Sequence, residues 1–139
     1  MIDSLRYTVQ DPDDAHVVAA AKQERCDIIV TENIRDFNRA ALVEHRMNLA
    51  TSDEFMTELF EGKETKAIVY GGLLDMWARL RERPTVPQFL ERLWGRDRLY
   101  GFIQGLTADV TQNVGVSRDR IDQRALQTRI RQIEQGIGI

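Results

Sequence analysis

Cysteine is nearly absent. Cys26 is the only one in 139 residues, so no intramolecular disulfide can form, and a reducing, cytoplasmic compartment is expected. Its position just before the apolar run DIIV marks it as a small buried apolar residue. Long hydrophobic runs are also missing: no window approaches 18 uninterrupted apolar residues, and the N-terminus has no basic segment leading into an apolar core. No membrane partner is expected. Histidine is scarce, and neither His16 nor His45 has a companion at metal-ligand spacing. Glycine-rich phosphate loops, zinc spacings, internal repeats and low-complexity tracts are all lacking.

What remains is ordinary in bulk. Hydrophobic residues make up 42% and charged residues 29%, the composition of a chain that folds rather than one that stays disordered. The length suits one compact domain, or a small sheet-containing unit with a helical extension. The charge is uneven: residues 1–60 carry 6 Lys and Arg against 12 Asp and Glu, whereas residues 61–139 carry 13 against 10. An acidic front half does not track a phosphate backbone unaided, although a bound divalent cation would invert its field. Any nucleic-acid contact is therefore expected mainly from the arginines of the back half.

The front half reads as α/β. SLRYTVQ alternates loosely and suits a short extended segment or a loop. In DPDDAHVVAAA, Asp11 suits an N-cap, Pro12 the first helical position, and Asp13 and Asp14 a first turn that faces the positive end of the helix dipole. This helix is expected to run to about Arg25. DIIV, residues 27–30, has the β-branched character of a parallel strand buried on both faces. TENIRDFN is then a polar loop off the strand's C-terminal end, the edge where open α/β sheets place ligands. RAALVEHR reads as a short helix and MNLA as a second strand. Thr51 or Ser52 caps DEFMTELFE, with Glu54 completing a capping box.

From about Lys63 the pattern is helical. Tyr70, Leu73, Trp77 and Leu80 recur at spacings of three and four in a helix stopped by Pro84. Thr85 and Gln88 frame a second capping box ahead of FLERLW, whose helix ends at Gly95. RLYGFIQGL is also predicted helical despite Gly101 and Gly105. A last helix opens at Ser117 with Leu126, Ile130 and Ile133 on one stripe. Arg118, Arg120, Arg124, Arg129 and Arg131 are distributed around it, as a solvated face or as a surface for RNA or a protein partner.

Two readings of the acidic front end stay open. Asp11, Asp13 and Asp14 are ordinary residues for a helix start, and Asn33 and Asp36 are ordinary turn residues that bond their own backbone. Alternatively, Asp14 in the first turn and Asn33 and Asp36 beyond the strand share a divalent ion through oxygen ligands, as Mg²⁺ and Mn²⁺ prefer.

The stretch DPDDAHVVAAAKQERCDIIVTENIRDF, residues 11–37, resembles the second half of a PIN domain, the fold of metal-dependent ribonucleases that includes the VapC-type toxins of toxin–antitoxin pairs. In that family an Asp opens a helix of the form D-A-x-x-x-A-A-A, the strand ends in Thr, and the loop reads T-x-N or T-x-D followed by D-F. The resemblance maps these onto Asp14, Thr31, Asn33, and Asp36 with Phe37. NLATSDEFMTEL is similar to the family's last strand and following helix, and LLDMWARLRERPTVPQFLERLW to a helical extension found after some VapC-type domains.

The resemblance implies a catalytic set of Asp14, Asp36, Asn33 and Thr31, with Asp14 and Asp36 as metal ligands for Mg²⁺ or Mn²⁺. It implies RNA as substrate and an antitoxin protein as partner. The family's opening strand, with its Asp, and the acidic residue of an early helix have no counterpart here. The expectation is therefore a truncated PIN-like parallel-sheet piece over residues 1–60, followed by a mostly helical half over residues 61–139. As an endoribonuclease toxin it would be inactive alone unless its half-site is completed. The alternative is a non-catalytic PIN remnant that serves as a protein-binding or oligomerisation module. An exposed sheet edge leads to the expectation of a homo-oligomer.

Overall fold

The computed structural model describes Leu5, residues 8–11 and residues 14–139. The chain is mixed α/β and separates into two compact units, Met1–Phe55 and Met56–Ile139.

The first unit repeats a helix-to-strand step. Helix α1 (Ala15–Gln23) leads to strand β1 (Ile28–Val30), and helix α2 (Arg39–Glu44) leads to strand β2 (Asn48–Ala50). Both helices end in the same way. After α1, the Cys26 N–H donates to the Ala21 carbonyl at 2.8 Å and the Arg25 N–H to that of Lys22 at 3.1 Å. After α2, Met47 donates to Leu42 and Arg46 to Val43, both at 2.9 Å. These are Schellman closures, and they place Arg25 (φ 59) and Arg46 (φ 61) in the left-handed conformation that glycine usually occupies. The second closure carries the expected apolar contact, since Leu42 and Met47 are both buried in one core.

The two strands run parallel, with Ile28, Ile29 and Val30 opposite Asn48, Leu49 and Ala50. The core of this unit is Leu5, Val9, Ala15, Val18, Ile29, Leu42, Met47 and Leu49. Helix α3 (Ser52–Glu61) follows β2. Its capping box forms as the sequence implies: the Glu54 N–H donates to Thr51 Oγ1 at 3.1 Å, and the Thr51 N–H donates to Glu54 Oε1 at 3.0 Å. That backbone bond from Thr51, aided by Arg39, holds the Glu54 carboxyl below its usual range.

Several expectations are corrected here. Helix α1 starts at Ala15 with Asp14, not Asp11, at the N-cap position, because the Asp11 carbonyl instead takes the Asp14 N–H in a tight turn at 2.9 Å. It also stops at Gln23, where the Schellman turn begins. Pro12 and Asp13 lie outside the described residues, as do Ser4, Arg6 and Tyr7 of SLRYTVQ. From that segment Val9 makes a single antiparallel bridge to Phe37. Cys26 is exposed rather than buried, since it sits on the corner between helix and strand. Strand β1 is not buried on both faces: Ile29 is covered, but Val30 is 42% exposed, because the described sheet has two strands and no layer over that position.

The second unit is helical: α4 (Lys66–Ala78), α5 (Val86–Gly95), α6 (Tyr100–Val114) and α7 (Gln123–Glu134). Helix α4 ends well short of Pro84, in consecutive turns in which Leu80 donates to Trp77 and Arg83 to Leu80. Trp77 Nε1 donates to the Pro84 carbonyl at 2.7 Å and fixes the way out of these turns. Thr85 and Gln88 form the expected capping box at the head of α5. Gly115, at φ 81, closes α6. Ser117 opens a short 3-10 turn (Arg118–Arg120) rather than the last helix, and Asp122 caps α7 through the Ala125 N–H at 2.9 Å.

Phe60, Phe102 and Tyr70 are central to this core. Phe60 meets Tyr70 edge-on at 5.4 Å and Phe102 at 5.9 Å, each pair contributing about 0.5–1.5 kcal/mol beyond area burial.

Beside the rings lies a charged knot. Arg129, placed among the solvated or RNA-facing arginines by sequence, is fully buried. Its Nε donates to Asp109 Oδ2 at 2.7 Å and its Nη2 to Oδ1 at 3.1 Å, a bidentate pair. The remaining donors reach the Ile137 and Gly138 carbonyls. Tyr70 donates to the same carboxylate at 2.5 Å, and Lys66 stands 3.5 Å from it. Burial alone would raise the Asp109 pKa; the bonds from Arg129 and Tyr70 and the Arg129 and Lys66 charges outweigh it and hold the group below its usual range. Burial, with the Asp109 carboxylate beside it, pushes the Tyr70 phenol far above its ordinary value.

Candidate functional site

Asp14, Thr31, Asn33 and Asp36 all lie in the first unit, Asp14 at the head of α1 and the other three directly after β1. The Thr31 N–H donates to the Ala50 carbonyl at 2.9 Å, prolonging the parallel ladder by one residue. Its Oγ1 then accepts the Asn33 N–H at 3.0 Å, which turns the chain off the strand. Asn33 in turn accepts the Asp36 N–H at 3.0 Å through its carbonyl and opens the 3-10 turn Ile34–Asp36. Thr31 and Asn33 therefore shape the loop through their own backbone.

Asp36 is joined to the head of α1 through the main chain. Around the Val9–Phe37 bridge, the Gln10 N–H donates to the Asp36 carbonyl at 2.8 Å and the Asn38 N–H to that of Thr8 at 2.6 Å. The two bonds flank Val9 and Phe37, a non-hydrogen-bonded pair, and the antiparallel register sets Gln10 opposite Asp36. The chain then makes the tight turn in which Asp11 receives the Asp14 N–H. Asp36 and Asp14 thus flank one short piece of backbone, both half-buried, and Asp14 caps no helix donor with its side chain.

Carboxylate oxygens are the donor type that Mg²⁺ and Mn²⁺ take. Among the described residues, no group of three or more His, Cys, Asp and Glu side chains converges where a metal ion could sit. The described donors therefore match such an ion in kind, and those shown here are fewer than three.

Sequence reasoning missed a cleft of about 460 Å³ alongside, lined by Val9, Gln10, Arg35, Phe37, Asn38, Arg39 and Ala40. Arg39 makes a 3.4 Å ion pair with Glu54, both half exposed, which holds it only loosely. The signal was available in R-D-F-N-R, two arginines four positions apart around Asp36 and Phe37. The overall acidity of the front half obscured it. Neither histidine joins the site: His16 is exposed, and His45 Nδ1 accepts from Lys22 Nζ at 2.8 Å.

A second cavity, of about 540 Å³, lies in the helical unit between α5 and α6. Trp94 lines it beneath the Arg118 guanidinium, 5.9 Å from the ring centre.

Comparison with known proteins supports a VapC/PIN-like relationship. The chain is 37% identical over 60 residues to a protein of Mycobacterium tuberculosis (strain ATCC 25618 / H37Rv) named "Putative ribonuclease VapC50". The aligned region covers 42% of this chain and 36% of that relative, so the match spans about a third of the relative's length. No protein-family model matches the chain, and no solved structure matches it. No helix among the described residues is long and apolar enough to cross a membrane.

Proposed function

We propose that this chain contributes the C-terminal part of a PIN-type, VapC-like endoribonuclease unit, carried by residues 1–60, with residues 61–139 as a helical extension. The observation that carries this reading is the 60-residue match to a protein named as a ribonuclease. The main-chain bond from the Gln10 N–H to the Asp36 carbonyl, with Gln10 four positions ahead of Asp14, supports it.

In this reading Asp14 and Asp36 would be two of the oxygen ligands of a divalent ion, Mg²⁺ or Mn²⁺, whose chemistry when bound would be activation of water and neutralisation of phosphate charge. Thr31 and Asn33 position the loop that presents Asp36. Arg35 and Arg39 supply the positive charge that an RNA phosphate needs, and the Phe37 ring a face for a base. The remaining acidic ligands would come from another segment or another polypeptide. An antitoxin protein is the partner this reading implies, and the cytoplasm is its compartment.

The test is cleavage of a mixed structured RNA by the purified chain with Mn²⁺ or Mg²⁺, beside Asp14→Asn, Asp36→Asn and an EDTA control. Metal-dependent cleavage lost in both variants is the expected result. Absence of cleavage by the unaltered chain would overturn autonomous catalysis.

A second reading, a non-catalytic PIN remnant that binds a protein partner, is favoured by the lack of a three-ligand cluster among the described residues. Full-strength partner binding by the Asp14→Asn, Asp36→Asn double variant, with no cleavage by either protein, would select it.

A further inference from the structure

The cavity of about 540 Å³ between α5 and α6 joins an apolar floor to a polar mouth. Leu90 and Ile103 are its buried lining, and Glu91, Trp94, Arg118 and Asp119 are exposed around it. That volume and that mixture are those of small-molecule sites. The Trp94 ring meets Tyr100 edge-on at 5.1 Å, with the Arg118 guanidinium over the same indole. Trp94 is 36% exposed and Tyr100 45%, so packing within the chain does not use up the ring pair. Among the described residues, nothing accepts the Trp94 indole N–H, and neither Glu91 nor Arg118 has a hydrogen-bond or ion-pair partner. Asp119 accepts from the Ser117 hydroxyl at 2.8 Å. A smaller cavity, of about 240 Å³, shares Thr107 and Arg118 with the first and adds Gln104 and Thr111.

These groups discriminate among ligands. A hydrocarbon gains nothing from Glu91, Arg118 or the indole N–H. A simple cation meets Arg118 already lying over the Trp94 ring, and a simple anion meets the Glu91 and Asp119 carboxylates. A nucleobase offers a flat face to the ring, N–H donors to the carboxylates and acceptors to the indole N–H, while its phosphate stands apart from the base. The neighbouring charges fit a phosphate. Arg96 and Arg98 lie on the loop between Trp94 and Tyr100, which the Leu99 N–H closes by donating to the Leu93 carbonyl at 3.0 Å, and Arg120 follows Asp119. Glu91, Asp97 and Asp119 offset most of the charge of these three arginines and Arg118, so stacking rather than net charge has to supply most of the affinity. We infer that this cavity is a nucleotide pocket, in which Trp94 stacks the base, Glu91 and Asp119 accept its N–H groups, and Arg118 takes the phosphate. Guanine suits it best, because its neighbouring N1–H and N2–H donors match one carboxylate. The nucleotide comes free or as a unit of a single strand, since a duplex keeps its bases stacked and paired. The pocket lies wholly in the helical unit and needs no cleavage, so the inference does not rest on the ribonuclease reading.

Both tryptophans, Trp77 and Trp94, lie in the helical unit, so intrinsic fluorescence of the full chain reads this unit and not the first. In EDTA, guanosine 5′-monophosphate is expected to quench that fluorescence saturably, and ribose 5-phosphate, which lacks the base, is not. By calorimetry, Trp94→Ala is expected to weaken guanosine 5′-monophosphate binding by about 10-fold or more, and Arg118→Glu by about as much. Circular dichroism checks that both variants stay helical, and Arg118, exposed on a short turn, keeps the test usable should Trp94→Ala unfold. A guanosine-containing single-stranded RNA that binds about 10-fold more tightly than the mononucleotide identifies the strand as the source, and equal affinity identifies the free nucleotide. Absence of saturable quenching by both would overturn the inference. So would ribose 5-phosphate or duplex RNA binding as tightly as the nucleotide and the single strand, or full-strength binding by folded Trp94→Ala or by Arg118→Glu.

Discussion

The two units solve the problem of stability differently. Residues 56–139 bury rings and an ion pair: Phe60, Tyr70, Phe89 and Phe102 fill the core, and Arg129 is locked onto Asp109. The first unit has a core of aliphatic side chains and one methionine, with strands of three residues each, and its distinctive groups are Asp14, Asp36, Arg35 and Arg39 at the surface. Buried polar chemistry in the helical unit is structural, whereas in the sheet unit polar groups are left available. A charged residue's role in this chain is thus decided by what packs around it rather than by its type.

The sharpest way to break that comparison is Arg129→Met. It leaves the Asp109 carboxylate buried without its bidentate partner, and a loss of about 3–5 kcal/mol is expected in urea unfolding. Asp14→Asn and Asp36→Asn should instead leave stability within about 0.5 kcal/mol, because neither side chain holds a structural bond in the described fold. A large loss on Asp36→Asn would show that the sheet unit uses its carboxylates as the helical unit does.

The knot also sets a pH dependence. The folded pKa of Asp109 lies below its unfolded value of about 3.9, so its contribution is complete above that value and is lost as pH falls below it. Tyr70 acts at the opposite end. Its folded pKa lies above its unfolded value of about 10, so stability falls as pH rises past that point and the unfolded phenol ionises. Thermal melts from pH 2 to 11 check both, with Asp109→Asn expected to flatten the acid limb and Tyr70→Phe the alkaline one.

Smaller effects follow from the caps and turns. Thr85→Ala removes the acceptor for the Gln88 N–H and should cost about 1 kcal/mol. Arg25→Gly and Arg46→Gly relieve left-handed backbone at the two Schellman closures and should each stabilise by about 0.5–1 kcal/mol, read as a raised Tm.

What could be read from sequence was local. Thr51 with Glu54 and Thr85 with Gln88 are boxes closed within one helical turn, so three-residue spacing was enough to place them. The parallel sheet followed from two helix-to-strand steps in succession. Arg129 was misread because its burial depends on Asp109, twenty positions earlier, and on the Tyr70 and Lys66 side chains of another helix. Cys26 and Val30 were placed inside by their apolar neighbours, but their exposure depends on how many layers cover the strand. Of the candidate site, Thr31, Asn33, Asp36 and Asp14 were legible only as a pattern along the chain. The bridge from Val9 to Phe37, which joins their segments, rests on a pairing across 28 positions that no local spacing reveals.

The exposed Cys26 has a practical consequence. As the sole thiol in the chain, on the corner between α1 and β1, it accepts one maleimide dye or nitroxide without any substitution. Fluorescence polarisation or electron paramagnetic resonance from that label would report local motion a few residues from Thr31, and would test the proposed binding of RNA or a divalent ion at the loop independently of cleavage.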